Sequence, residues 1–114
     1  MRTYAGLYEI APEWVVEHRA AVIVLDVRTP SELTGELGSI SGALNIPLDE
    51  LRARQSEVPV GKPIVVVCQT GRRSGIASQI LQKAGASPSV SLAGGMVAWN
   101  DLALPLAPVD DALR

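Results

Sequence analysis

The sequence is poor in aromatic residues and contains no phenylalanine. Aromatic side chains make up 4% of the 114 residues, whereas hydrophobic residues make up 47%. The chain can therefore bury a core, but that core must be built from Val, Leu, Ile and Ala. We place one domain at residues 1–114, because a second core would not fit in this length. Residues 105–114, with two prolines and two aspartates, are expected to form a surface tail or the start of a linker.

Cysteine and histidine each occur once, as Cys68 and His18. A lone cysteine excludes an internal disulfide framework, and it also excludes a zinc site of the Cys₄ or Cys₂His₂ type. Because cysteine and histidine each occur once, any nucleophilic chemistry in this chain has few side chains available to assist it. We expect His18 to face solvent.

Long hydrophobic runs are also missing. Residues 1–10 mix Arg, Tyr and Glu and lack the apolar stretch of a signal peptide, and the longest apolar runs are too short to span a membrane. The net charge of −2 and the pI of about 5.3 argue against nucleic-acid binding, which usually requires a basic surface. We therefore expect a soluble cytoplasmic protein with a reduced thiol and no membrane or nucleic-acid partner.

Two continuous runs of β-branched residues predict strands that are buried on both faces. They are VIVLDV at residues 22–27 and IVVVC at residues 64–68. Such runs are typical of a parallel sheet covered by helices. Weaker strands are predicted at residues 44–46 and 89–92.

Helical patterns lie between these runs. Helices are predicted to begin at Pro12, near Leu48 and near Met96, and the clearest one covers residues 74–84. Its apolar stripe consists of Ile76, Ala77, Ile80, Leu81 and Ala84. The alternation of strands and helices predicts an α/β domain with a mostly parallel sheet.

Cys68 ends the strongest predicted strand, just before the clearest helix. In open α/β sheets, ligands bind beyond the carboxyl ends of the strands. The loop that follows can turn at Gly71, and its amides can form an anion-binding nest. Arg72 and Arg73 add positive charge, and we expect one of these two side chains to point inward. Such surroundings favour a thiolate even without a general base. Since His18 lies in the first predicted helix, we reject a Cys–His catalytic dyad or triad of the protease type. We therefore interpret Cys68 as a nucleophile rather than as a small buried residue that closes a strand.

Four segments resemble, in order, the motifs of the rhodanese-like sulfurtransferase family. They are LDVRTPSEL at 25–33, GALNIPL at 42–48, CQTGRRS at 68–74 and LAGGMVAW at 92–99. The resemblance covers most of the chain. It implies a central parallel sheet of about five strands with helices on both faces.

The resemblance also implies a reaction. Cys68 would attack the outer sulfur of an anionic donor such as thiosulfate, become a persulfide, and pass the sulfur to cyanide, a thiol or a protein acceptor. The loop amides would hold the negative charge, and Arg72 or Arg73 would attract the donor. The substrate-binding residues implied are Gln69, Thr70, Gly71, Arg72, Arg73 and Ser74. The reaction needs no metal or organic cofactor, and we expect a monomer.

The loop length discriminates among relatives of this family. Four residues separate Cys68 from Arg73, whereas cysteine-based phosphatases typically place five between their Cys and Arg, so sulfur transfer is favoured over phosphate ester hydrolysis. One departure is Gly38-Ser39-Ile40, where the family often has Gly-His-Ile. Two alternatives stay open: a non-catalytic binding or regulatory module, and a phosphatase-like or arsenate-reducing enzyme.

Three further features have predicted roles in the structure rather than in the chemistry. Asp26 and Arg28 are two apart on one strand and share a face, and we favour a structural hydrogen-bond network over a role in lining the pocket. The glycines at 94–95 are expected to let the backbone pass close to the Cys68 loop and to start a helix. Trp14 and Trp99 are expected to be core anchors rather than substrate platforms.

Overall fold

Six strands form one sheet in a computed structural model that describes residues 2–4, 7–85 and 88–108. The strands are β1 (Arg2–Tyr4), β2 (Leu7–Ile10), β3 (Ile23–Asp26), β4 (Leu44–Asn45), β5 (Ile64–Val67) and β6 (Ser89–Leu92). Their order across the sheet is β1-β2-β6-β5-β3-β4. β1 pairs antiparallel with β2, and the other neighbours are parallel. The expected parallel sheet of about five strands is confirmed, and an antiparallel N-terminal strand extends it at one edge.

β1 and β2 were not predicted from the sequence. This part of the chain has no continuous apolar run, and its place in the sheet depends on pairing with a strand near the other end of the chain. In that pairing, Glu9 is in register with Ser91 and Ile10 with Leu92. β2 therefore brings residues of the N-terminal segment to the carboxyl edge of the parallel sheet.

β3 and β5 form the buried centre of the sheet, as their sequences predict. All four residues of β5 are buried. Because successive side chains of a strand point to opposite faces, Ile64 and Val66 join one apolar cluster, and Val65 and Val67 join the other. Helices must therefore cover both faces of the sheet.

The covering helices fall between the strands. They are α1 (Pro12–Glu17), α2 (Pro30–Leu33), α3 (Leu48–Arg54), α4 (Arg72–Lys83) and α5 (Gly95–Asp101). Leu51 of α3 and Leu81 of α4 pack into the first cluster, and Val15 of α1 and Met96 of α5 pack into the second. None of the helices in the described ranges is both long and apolar enough to cross a bilayer.

The two tryptophans differ in burial. Trp99 is 2% exposed and is the core anchor that was predicted, while Trp14 is half-buried and packs against the same cluster. The prediction that His18 faces solvent is wrong in part. Its ring stacks on Trp14 with centroids 4.1 Å apart, and its Nδ1 lies 2.8 Å from the Trp14 carbonyl oxygen, so the ring is half-buried.

α4 begins two residues earlier than predicted, at Arg72, and its buried stripe is shifted. Ile76 is 45% exposed, and Ala84 is exposed beyond the last helical residue. The early start follows from Gly71, whose positive φ of 108° reverses the backbone immediately before the helix. The buried positions of α4 are Ser74, Gly75, Ala77, Ser78, Ile80 and Leu81. Small residues occupy this face because α4 packs closely on β6.

The segment after α5 lies against the domain. The Trp99 indole N–H donates to the Pro105 carbonyl at 2.9 Å, and the Ala107 N–H donates to the Ser39 carbonyl at 2.7 Å. Pro105 and Leu106 are exposed, in agreement with a surface segment. The rest of the predicted tail, residues 109–114, lies outside the described residues.

Candidate functional site

Cys68 directly follows β5 at the carboxyl edge of the parallel strands. Its side chain is 1% exposed and belongs to the apolar cluster beneath α3 and α4. Gly71 then turns the chain into the 12-residue helix α4. The topology therefore places the only described cysteine beside the N-terminus of the longest helix, where the helix dipole favours negative charge.

Two polar groups contact the sulfur, and a third contacts one of them. The Gly71 N–H donates to Cys68 Sγ at 3.0 Å, and the Ser74 hydroxyl lies 3.4 Å from the same sulfur. The Ser74 Oγ lies 2.6 Å from the Ser91 Oγ of β6. The amide and the hydroxyl can both donate to an anionic sulfur, so this arrangement is suited to stabilising a thiolate or another sulfur anion.

The exposed part of the loop contributes its backbone. The side chains of Gln69 and Thr70 are exposed. The Met96 N–H donates to the Cys68 carbonyl at 2.9 Å, and the Val97 N–H donates to the Gln69 carbonyl at 3.0 Å. Two loop carbonyls are thus held by amides of α5.

The predicted role of the two glycines is confirmed. A Cβ on Gly95 would lie 2.5 Å from both the Cys68 and the Gln69 carbonyl oxygens. Gly94 and Gly95 have positive φ angles of 72° and 59°, which favour glycine. Only residues without a side chain allow α5 to start this close to the Cys68 loop.

Arg73 is the half-buried member of the arginine pair. It belongs to the first turn of α4, and its guanidinium donates to both carboxylate oxygens of Glu32, each at 2.8 Å. These bonds, together with weaker contributions from hydrogen bonds of Thr29, lower the pKa of Glu32 to about 2. The same bonds raise the pKa of Arg73, to which the nearby Cys68 adds a smaller electrostatic contribution. Arg73 is therefore held in a fixed orientation by Glu32, near enough to Cys68 for the two groups to interact electrostatically.

Arg72 is placed differently. Its side chain is exposed, lines the cleft in front of the loop, and makes no hydrogen bond or ion pair within the described ranges. The expectation that one arginine points inward agrees with this difference. The more buried arginine is Arg73, which is held by Glu32, while the Arg72 side chain is exposed at the cleft.

Asp26 and Arg28 form a buried ion pair that agrees with the structural interpretation. Each side chain is 1% exposed, and the Arg28 Nη2 lies 2.7 Å from the Asp26 Oδ2. The same nitrogen donates to the Gly38 carbonyl at 2.8 Å. The pair thus anchors the segment that departs from the family pattern, and it holds the end of β3 rather than lining the cleft.

An open cleft of about 1260 Å³ lies in front of the Cys68 loop. Thr70, Gly71 and Arg72 form one wall. Glu9 and Glu13 also line the cleft, and neither was predicted as a site residue. Glu9 was missed because β2, which carries it, was not predicted. A Cβ on Gly71 would lie 3.9 Å from the Glu9 Oε2, so this carboxylate borders the loop itself.

Ser91 is another residue that sequence reasoning missed. It lies in a weak apolar run, and only the packing of β6 against α4 brings its hydroxyl to Ser74. No group of three or more His, Cys, Asp or Glu that could hold a metal ion occurs in the part of the chain that the structure describes.

Comparisons with known proteins agree with this geometry. Residues 11–102 match the family model described as Rhodanese-like domain. The thiosulfate sulfurtransferase PspE of Escherichia coli is 35% identical over 102 residues, which cover 88% of this chain and 92% of the relative. A crystal structure of a rhodanese-related protein from Thermoplasma volcanium has a TM-score of 0.80 and 35% identity, and it covers 86% of this chain and 95% of that chain.

Some relatives are longer than this chain. An uncharacterized protein of Synechocystis is 39% identical over 105 residues, which are 90% of this chain but 58% of the relative. The matched residues likewise cover 60% of a relative from Bacillus subtilis. The chain thus spans about three fifths of the length of these two curated relatives.

Proposed function

Because the chain belongs to the rhodanese-like domain family, we propose that it is a sulfurtransferase in which Cys68 carries the transferred sulfur as a persulfide. One observation carries this proposal: the Gly71 amide donates to Cys68 Sγ at 3.0 Å, at the turn that begins α4. The amide and the helix dipole both favour an anion on sulfur. The name of the Escherichia coli relative supports the same class of activity.

The first half-reaction loads Cys68. The thiolate attacks the outer sulfur of an anionic donor such as thiosulfate, and a new sulfur–sulfur bond forms at Sγ. The bond between the two donor sulfurs breaks, and sulfite leaves with its electron pair. Arg72, which is exposed at the cleft and has no partner in the described ranges, would meet the incoming anion.

The second half-reaction unloads Cys68. An external nucleophile attacks the outer sulfur of the persulfide, and the Cys68 thiolate is the leaving group. Cyanide would become thiocyanate, and a thiolate would become a persulfide, so neither step needs an oxidant or a reductant. Because the chain has one cysteine, the acceptor must come from outside, and the exchange should show ping-pong kinetics.

We take a thiol, either free or on a protein, as the acceptor in the cell. The cleft in front of the loop is open to solvent and leaves room for either kind of acceptor. The proposal places the protein in the cytoplasm, where a thiol stays reduced. We also propose that the protein acts as a monomer, because the described residues of one chain supply the contacts to the sulfur.

Substitution of the cysteine tests the proposal. The wild type should convert thiosulfate and cyanide to thiocyanate, and Cys68→Ala should lose this activity by about 1,000-fold or more, because the covalent intermediate cannot form. Treatment of the wild type with thiosulfate should increase its intact mass by one sulfur atom. Ser78→Ala, which removes a buried hydroxyl without a partner in the described ranges, is the control and should keep the activity.

Three results would count against the proposal. Sulfur transfer that survives in Cys68→Ala would exclude the mechanism. A Cys68 that does not react with iodoacetamide at neutral pH would favour a binding module. Hydrolysis of p-nitrophenyl phosphate that is lost in Cys68→Ser would favour a phosphatase-like enzyme.

A further inference from the structure

Four buried serines line the contact between α4 and β6. They are Ser74 and Ser78 on the helix, and Ser89 and Ser91 on the strand, and each is at most 3% exposed. Ser74 and Ser78 are one helical turn apart, and Ser89 and Ser91 point to the same face of the sheet. The two ends of this serine row have different neighbours, and only one end reaches the catalytic sulfur.

At the sulfur end, three side chains form a chain of contacts. The Cys68 Sγ lies 3.4 Å from the Ser74 Oγ, which lies 2.6 Å from the Ser91 Oγ. At the other end, the Ser89 hydroxyl donates to the Ser78 carbonyl at 3.1 Å, and the Ser78 hydroxyl has no partner in the described ranges.

The direction of the hydrogen bonds follows from the charge on the sulfur. A hydroxyl has one proton to donate. While Cys68 is a thiol, it can donate to Ser74, and Ser74 can donate to Ser91. Once the sulfur is an anion, Ser74 must turn its proton toward the sulfur, and its oxygen then needs a donor. In this buried site, the Ser91 hydroxyl, 2.6 Å away, is the group in position to provide that proton.

We propose that Ser91 is a positioning residue that donates to Ser74 and thereby keeps the Ser74 hydroxyl directed at the anionic sulfur of Cys68. The role of Ser91 when Cys68 is a thiolate does not depend on a sulfur donor. Its extension to the persulfide rests on the proposed function. Bonds within such a buried chain strengthen one another, so loss of the outer hydroxyl weakens the bond to the sulfur.

The test measures how fast iodoacetamide alkylates Cys68 as a function of pH. Ser91→Ala should move the midpoint of this profile upward by about one pH unit, which lowers the alkylation rate below the midpoint about tenfold. Ser89→Ala is the control, because it removes a buried hydroxyl from the same strand and face and also loses one hydrogen bond. It should lower stability without moving the profile.

A double-mutant cycle tests whether Ser91 acts through Ser74. In a Ser74→Ala background, Ser91→Ala should cause no further shift. An unchanged profile in Ser91→Ala, a shift equal to that of Ser89→Ala, or a full additional shift in the Ser74→Ala background would overturn the proposal.

A second pair of variants covers the case in which Ser91→Ala does not fold. Ser91→Thr and Ser91→Val have nearly the same shape and suit a strand, but only Thr keeps a hydroxyl. The Thr variant should show the lower midpoint of the two, and equal midpoints would overturn the proposal.

Alkylation also separates this proposal from the proposed function. If the wild type is alkylated with the expected dependence on Ser91 but never accepts sulfur, then the proposed function fails and Ser91 keeps its role. If sulfur transfer is found and the Ser91 variants have unchanged alkylation profiles, the Ser91 proposal fails alone.

Discussion

Two helices begin beside Cys68, and they use their first amides in different ways. α4 starts after Gly71 and α5 after Gly94, and both glycines have a positive φ. The first amides of a helix have no partner inside the helix. At α5, the amides of Met96 and Val97 bind two carbonyls of the Cys68 loop. At α4, the Gly71 amide binds the sulfur.

The difference separates two tasks that one helix could not perform alone. α5 fixes the loop backbone, and α4 presents a donor and a dipole to the charge. Carbonyls bound to α5 cannot turn toward the sulfur, where they would repel an anion. The site is therefore preorganised for negative charge by backbone groups, without a histidine base.

The largest effect is expected from a substitution that disturbs the contact between α5 and the Cys68 loop. In Gly95→Ala, a Cβ would lie 2.5 Å from the Cys68 and Gln69 carbonyl oxygens, so the loop must move. We expect a loss of about 3 kcal/mol or more in the free energy of unfolding, from overpacking and from the left-handed conformation. Urea unfolding measures the stability, and alkylation of Cys68 reports the loop.

Gly71→Ala is the corresponding change on the α4 side. The nearest atom to the new Cβ is 3.7 Å away, so the space is sufficient and only the backbone conformation is strained. Its cost should be lower, about 1–2 kcal/mol. A Gly95→Ala variant that is no less stable than Gly71→Ala would contradict the role of α5 as the element that fixes the loop.

An intermediate effect concerns the ion pair that orients the first turn of α4. Glu32→Gln removes the two-point contact with Arg73 and should destabilise the fold by about 1 kcal/mol at neutral pH. The pKa of Glu32 is lowered in the folded state, to about 2. The stabilisation is therefore complete above the ordinary pKa of a Glu and is lost as the pH falls from about 5 toward 2.

Unfolding measured against pH checks this expectation. The stability difference between the wild type and Glu32→Gln should shrink through that acidic range. Glu50→Gln is the control, since Glu50 pairs with Arg54 on a more exposed surface, where an ion pair contributes little. If the Glu32 variant shows a constant difference at every pH, the ion pair is not its cause.

The sequence predicts the parts of this site that local patterns determine. The β-branched run before Cys68 sets the strand, Gly71 sets the turn, and the glycine pair at 94–95 marks a close approach of two backbones. The spacing of Asp26 and Arg28 was enough to predict a structural hydrogen-bond network, which the structure shows, although β3 ends at Asp26 and Arg28 lies beyond it.

Contacts between distant segments could not be predicted. Arg73 meets Glu32 from another helix, Ser74 meets Ser91 from another strand, and Glu9 reaches the loop only because β2 pairs with β6. The burial of α4 was misjudged for the same reason. The stripe through Ile76 follows hydrophobicity alone, whereas close packing on β6 selects small residues for the buried face.

The smallest expected effect concerns the charged side chains at the cleft in front of α4. Arg72 and Glu9 line the same cleft with opposite charges. Under the proposed function, Arg72→Gln should lower kcat/KM for thiosulfate about threefold, and Glu9→Gln should raise it about twofold, because exposed charges steer an anion weakly. Both effects should decrease as the ionic strength rises. Equal shifts in one direction, or shifts that persist in concentrated salt, would mean that these side chains act through the shape of the cleft rather than through its charge.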